Sequence, residues 1–212
     1  MIKAKTMDIQ TINKSLHDKS PEEIVAWAIQ QAKKPIVTTN FRPYESAILY
    51  VTTRAFPSIE VVWCDTGYNT PDTYRHANDL IERLGLNIFI YVPRQTTGFR
   101  DVTLGIPEVG TPEHQLFTEQ VKLEPFRRAM KEHAPDVWFT NLRKGQTTYR
   151  DEIDIISQDK NGILKVSPFY YYSDEDMELY LKEHQLPNEK KYYDPTKAME
   201  NRECGIHLQN LP

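Results

Sequence analysis

Residues 35–64 read PIVTTNFRPYESAILYVTTRAFPSIEVVWC. Two short apolar runs, Ile36-Val37-Thr38-Thr39 and Ile59-Glu60-Val61-Val62-Trp63-Cys64, flank a polar loop from Asn40 to Tyr44 and an amphipathic stretch that starts at Glu45. This is strand, loop, helix, strand. The unit repeats downstream: 65–70 is a loop, 71–84 a helix closed by Gly85 as a C-terminal cap, and 87–92 a third strand. Alternation of this kind predicts an α/β fold, a parallel sheet flanked by helices and joined by right-handed crossovers, with ligands at the carboxyl ends of the strands. Upstream, Ser20-Pro21-Glu22-Glu23 has the form of a helix start, Ser20 as N-cap and Glu23 closing a capping box. Beyond the third strand, 93–112 carries three glycines and three prolines and is too long for a plain connector, so it is expected to be functional or mobile. A single helix over 117–133 is expected next, then a strand at 137–140, a hairpin of 153–157 with 163–166 around Asn161-Gly162, and a last helix capped at Ser173. From 187 to 212 the chain is polar and aperiodic.

Composition narrows the function classes. The chain has 212 residues, expected to form one domain, with 26 basic and 30 acidic side chains for a net charge of −4. With 39% hydrophobic and 11% aromatic residues it can fill a core, which excludes global disorder. Its apolar runs are strand-sized, far below the roughly 20 residues of a membrane span. The lysine-containing stretch from Met1 to Lys14 has no apolar signal region, so neither a membrane nor a secretory segment is expected. Net negative charge argues against nucleic acid as the main partner. Two cysteines, Cys64 and Cys204, can supply neither a disulfide framework nor a four-cysteine metal or iron–sulfur site, and a reducing cytoplasm is the natural setting. The histidines lack metal-ligand spacing, and no metal site is expected.

Four segments can carry chemistry. In the loop Thr39-Asn40-Phe41-Arg42-Pro43-Tyr44-Glu45-Ser46, hydroxyl and amide groups before a helix N-terminus can hold a phosphate; the same residues also make an ordinary capped turn. In Cys64-Asp65-Thr66-Gly67-Tyr68, Asp65 can accept from a ribose hydroxyl or an adenine amino group and Gly67 lets backbone approach a ligand, or the run is turn chemistry alone. Cys64 reads as a small buried apolar residue. Among Lys122, Arg127, Arg128, Arg143, Lys144 and Arg150, Arg143 follows a strand end and can meet a sulfate or phosphate with a planar fork of donors, whereas Arg127 and Arg128 read as a solvated helix face. Near the end, Arg202-Glu203-Cys204-Gly205-Ile206-His207 sets a thiol in a polar, glycine-containing segment, where it is either incidental or reactive. Arg202 and His207 favour its thiolate and Glu203 opposes it.

Together, from Pro35 to His207, these segments resemble the phosphoadenylyl-sulfate reductase family, the thioredoxin-dependent enzymes of assimilatory sulfate reduction. Asp65-Thr66-Gly67-Tyr68 with Pro71, Thr73 and Tyr74 is similar to the family's Asp-Thr-Gly-Tyr element, and Lys122-Leu123-Glu124-Pro125 to its Lys-Val-Glu-Pro. Leu142-Arg143-Lys144-Gly145-Gln146 through Arg150 resembles Leu-Arg-Arg-x-Gln-x-x-x-Arg, Lys165-Val166-Ser167-Pro168 another short element, and Glu203-Cys204-Gly205-Ile206-His207 the Glu-Cys-Gly-Leu-His that bears the catalytic cysteine.

The resemblance implies a three-layer adenine-nucleotide-α-hydrolase-like (PP-loop) fold with a flexible C-terminal tail, residues 187–212, carrying Cys204. It also implies a homodimer, no iron–sulfur cluster, and reduction of 3′-phosphoadenylyl sulfate by thioredoxin or glutaredoxin to sulfite and adenosine 3′,5′-bisphosphate, through a cysteine S-sulfonate at Cys204. Phosphate contacts carry over to Thr39, Asn40, Phe41 and Ser46, nucleotide contacts to Asp65 and Gly67, and oxyanion contacts to Lys122, Arg143, Lys144 and Arg150. His207 belongs to the cysteine motif, and Lys197 and Arg202 are candidates for the 3′-phosphate. The family loop has a glycine where Arg42-Pro43 stands here, so side-chain contacts are expected to replace backbone ones. Other readings stay open: a reductase of adenylyl sulfate, an ATP-cleaving nucleotide-activating enzyme of sulfur modification, and a nucleotide-binding protein without turnover.

Overall fold

Alternate residues of the strands supply two different apolar layers, which fixes a sheet covered on both faces. In the computed structural model, which describes residues 8–197, the six strands are β1 (Pro35–Thr39), β2 (Glu60–Cys64), β3 (Asn87–Tyr91), β4 (Val137–Phe139), β5 (Ile156–Gln158) and β6 (Leu164–Val166). Val37, Val61, Val137 and Phe139 face one core, and Ile36, Val62 and Trp138, one position out of phase, face the other. The first core is covered by residues of α1 (Ile9–Leu16), α2 (Pro21–Gln31), α3 (Glu45–Ala55), α4 (Pro71–Leu84) and α9 (Asp174–Glu183). The second is covered by Phe126 and Ala129 of α7 (Glu124–His133). Between α4 and α7 lie α5 (Thr97–Thr103) and α6 (Pro112–Thr118), and α8 (Thr148–Asp151) follows β4. Among the described residues no helix is long and apolar enough to cross a membrane.

The strands run in spatial order β3-β2-β1-β4-β6-β5, all pairs parallel except the β5–β6 hairpin. The chain therefore builds outward from β1 to β3, then crosses back to lay β4 on the other side of β1. Loops leaving β1 and β4 meet at that reversal, where Arg42 Nη2 donates to Asn141 O and Asn141 Nδ2 to Tyr44 O, and a cleft lies at the carboxyl ends of the two strands.

The helix punctuation follows the local sequence. Ser20 and Glu23 form the reciprocal capping box of α2, and Gly85 ends α4 in the left-handed region at φ 60°. Three segments differ from expectation. The N-terminal stretch, read only for its lack of a signal region, holds α1: Asp8 caps it, and Asn13 bonds both the amide and the carbonyl of Ile156, extending the β5 edge. The 93–112 stretch contains α5, started by a Thr96 cap. The single helix expected over 117–133 is α6, a π-helical turn (Glu119–Leu123) and α7. Pro125 lies in the first turn of α7, where its missing N–H does no harm.

Residues 187–197 form no helix or strand but are tied to the domain. Ser46 Oγ donates to Pro187 O, Tyr44 N to Asn188 Oδ1 at 2.9 Å, and Thr70 Oγ1 to Lys191 O at 3.1 Å.

Candidate active site

At the carboxyl ends of β1, β2 and β4 lies a cleft. The β1 loop contributes Thr39, Asn40, Arg42 and Glu45, the β4 loop Thr140, Asn141 and Leu142, and β2 contributes Val62 and Cys64. Lys122, Phe126, Arg150 and Lys197 complete the wall. A second, more polar cleft adjoins it, formed by Arg143 to Thr147 and by Tyr172 to Asp174; Arg42, Arg150 and Lys197 line both.

The β1 loop is held by its own carboxylate. Phe41 and Tyr44 take positive φ values, 53° and 70°, and turn the chain so that the Glu45 side chain folds back under it. Glu45 Oε2 accepts from Thr39 Oγ1 at 2.7 Å and from Asn40 N at 2.8 Å, and Oε1 from Arg42 Nε at 3.0 Å. With its amide turned so that donors face acceptors, Asn40 adds Nδ2 to both Glu45 oxygens and accepts from Tyr192 OH. Phe41 is fully buried, its ring edge-on to Trp63 and its amide donating to Thr39 Oγ1 at 3.0 Å, and it lines neither cleft, so the expected phosphate contact is not at this residue. Ser46 is also fully buried and gives its hydroxyl to Pro187 O.

Lys122 enters the cleft from the π-helical turn, an insertion frequent at functional sites. Its ammonium lies on Asp194 Oδ2, with Thr196 Oγ1 at 3.4 Å. Burial pushes the Asp194 carboxyl up, but Lys122 and the Thr196 hydrogen bonds outweigh it and hold the pKa at about 2. Arg150 is buried, bonded to Gln146 Oε1, and the Gln146 oxygen also takes the Arg143 amide at 3.2 Å. Arg143 points from the second cleft onto Asp174 Oδ1 at 2.5 Å and lies over the Tyr44 ring, 5.1 Å from its centre. Lys144 lies over Tyr171 and is exposed.

Asp65 and Gly67 line neither cleft. Asp65 accepts from Gly67 N at 2.9 Å, Asn69 Nδ2 at 2.8 Å and Tyr74 OH at 2.9 Å; burial and this carboxylate push Tyr74 up to about 12. Gly67 has φ 80°, and a Cβ there would collide with the Thr97 hydroxyl, so backbone geometry accounts for this glycine. Cys64 is half-buried at the cleft floor. Arg202, Cys204 and His207 lie outside the described residues.

Sequence reasoning placed Thr39, Asn40, Lys122, Arg150 and Lys197, all of which line the first cleft, and passed over Glu45, Asn141 and Asp194. The i,i+3 spacing of Arg42 and Glu45 was the available signal for that pair. Asp194 gave none, because its partner is 72 residues away.

A parallel sheet with a cleft of cations and hydroxyls at its reversal point defines a nucleotide-binding α/β protein. The pattern of the phosphoadenosine phosphosulfate reductase domain matches residues 34–194, and the chain belongs to that family. It is 34% identical to a phosphoadenosine 5′-phosphosulfate reductase of Xylella fastidiosa strain M12, covering 94% of each chain. It is 31% identical to the one of Xanthomonas campestris pv. campestris strain B100, over 94% of this chain and 92% of that one. In fold it is similar to the crystal structure of phosphoadenylyl-sulfate reductase from Candida auris in a phosphate complex, at a TM-score of 0.76 and 24% identity over 88% of this chain and 90% of that one.

Proposed function

We propose that this chain reduces 3′-phosphoadenylyl sulfate to sulfite and adenosine 3′,5′-bisphosphate, as in assimilatory sulfate reduction. The observation that carries the reading is the course of residues 187–197 across the strand ends to Lys197, which lines both clefts. Cys204 follows seven residues later. An extended chain of that length spans up to about 25 Å, so the thiol is within reach of the nucleotide cleft.

The Cys204 thiolate attacks the sulfonyl sulfur, the sulfur–oxygen bond to the phosphate breaks, and the nucleotide leaves with that electron pair. A cysteine S-sulfonate remains. The leaving group is already anionic, so the catalytic demand is electrostatic: Lys122, Arg150 and Lys197 at the first cleft, with Arg143 and Lys144 at the second, neutralise oxygens of the sulfonyl and phosphate groups. A thiolate of an external dithiol then attacks the Cys204 sulfur and expels sulfite. Its second thiol closes a disulfide and returns Cys204 to the thiolate, which balances the two electrons. Cys64 sits at a strand end in the cleft floor and cannot serve as that mobile second thiol. Thioredoxin or glutaredoxin is the proposed reductant, in a cytoplasmic setting. Two cysteines cannot ligate an iron–sulfur cluster through four thiolates, so the reaction is proposed to run without a bound cofactor. A homodimer is the proposed assembly, tested by sedimentation equilibrium.

Incubation with 3′-phosphoadenylyl sulfate in the absence of reductant is expected to add one sulfonate to the intact mass, mapping to Cys204, and Cys204→Ser is expected to bind nucleotide but release no sulfite. An active Cys204→Ser enzyme overturns the scheme.

A further inference from the structure

The anion cradle at the head of α3 is already filled. A hydroxyl, a backbone amide and a guanidinium converge there as they would on a phosphoryl group, and what they hold is the Glu45 carboxylate, only 7% exposed at its side chain. Arg42 is used differently. Its Nε serves Glu45 and its Nη2 donates to Asn141 O at 3.0 Å, which fixes the guanidinium plane between the β1 and β4 loops. That commits two of its five N–H donors; the other three have no partner among the described residues, and the side chain lines both clefts.

From this we infer that Arg42 binds an anionic group of the nucleotide, and that Glu45, seated where a phosphoryl group would otherwise lie, sets the strength of that contact. Thr39 and Asn40 then act through Glu45: they hold it in place, and it aims Arg42. An anchored guanidinium loses little freedom on binding, which favours affinity, while the neighbouring carboxylate offsets part of its charge. The substrate's phosphoryl oxygens meet Arg42 in the clefts it lines together with Arg150 and Lys197.

The inference rests on the nucleotide reading of the cleft and not on sulfonate transfer, and the two are separated by measuring equilibrium binding of adenosine 3′,5′-bisphosphate by calorimetry alongside sulfite release. Arg42→Ala is expected to weaken binding about 10–100-fold, the worth of a hydrogen bond to a charged group. Glu45→Gln removes the negative charge at nearly the same volume, with its amide oxygen placed to accept from Arg42 Nε and its amide nitrogen turned to the Thr39 hydroxyl, and is expected to tighten binding several-fold. The double variant Arg42→Ala/Glu45→Gln is expected to bind more weakly than wild type, which separates a lost contact from repulsion by an uncovered Glu45. A merely structural pair predicts that both single variants weaken binding together, and that result, or an unchanged affinity in Arg42→Ala, overturns the inference. If Arg42→Ala does not fold, the sign of the Glu45→Gln change decides alone. The expected binding pattern without sulfite release in the wild type overturns the reaction and leaves the inference standing; sulfite release with both affinities unchanged does the reverse.

Discussion

Asp194 and Lys122 form an ion pair with 2% and 5% of their side chains exposed, 72 residues apart in sequence. Such a pair is weak evidence of net stability, because both charges have left water, but breaking it is expensive. Asp194→Asn takes this carboxylate away from the buried Lys122 ammonium and is expected to lower stability by about 3–5 kcal/mol, read from the urea midpoint. The pH dependence has a definite sign. The folded-state carboxyl is held at about 2 against an ordinary 3.8, so its contribution, roughly 2 kcal/mol, is complete above about pH 4 and is lost as pH falls toward 2. The Asn variant should lack that acid limb; an identical limb in both proteins removes Asp194 as its source. The same pair occupies a lysine of the cleft, so Lys122 lines it already oriented and partly neutralised.

At the scale of elements, α1 behaves as a substitute edge strand. Asn13 gives Nδ2 to Ile156 O at 2.9 Å and accepts Ile156 N at 2.8 Å, closing the outer strand of the sheet with a side-chain amide. Replacing it with alanine strands two buried backbone groups, and Asn13→Ala is expected to cost about 1–3 kcal/mol in urea unfolding and to speed proteolysis near α1. A loss below about 0.5 kcal/mol would mean that water covers the edge equally well. The helix α1 was not legible as an element because eight residues are too few to hold a helix alone; packing of Ile9, Ile12 and Leu16 makes it one. The π-helical turn was equally hidden. The residues Glu119 to Leu123 read locally as ordinary helix.

For the molecule as a whole, a net charge of −4 coexists with cations gathered at the carboxyl ends of the central strands, where Arg42, Lys122, Arg150 and Lys197 line a single cleft. Binding of a multiply charged nucleotide there should weaken several-fold as ionic strength rises from about 0.01 M to about 0.1 M, over which the screening length falls from about 30 Å to about 10 Å. Adenosine, lacking phosphates, serves as the control and should show little dependence. Equal salt dependence for both would remove the electrostatic account of the cleft. The cleft lies where it does because the chain reverses its direction of sheet growth after β3, and that choice brings the β1 and β4 loops face to face.

What the residues alone determined is the sequence of strands and helices from β1 to β3, the caps at Ser20 and Gly85, the hairpin of β5 and β6, and the loops that open at the strand ends. Those are local properties: the period of the apolar side chains and the backbone preferences of glycine and proline act over a few residues. Only the folded chain decided that Thr39 and Asn40 hold Glu45, that Asp65 bonds its own turn and Tyr74, and that residues 187–197 lie against Lys122. A buried charge takes whichever counter-charge the packing brings within about 3 Å, and that distance in space has no counterpart in sequence separation.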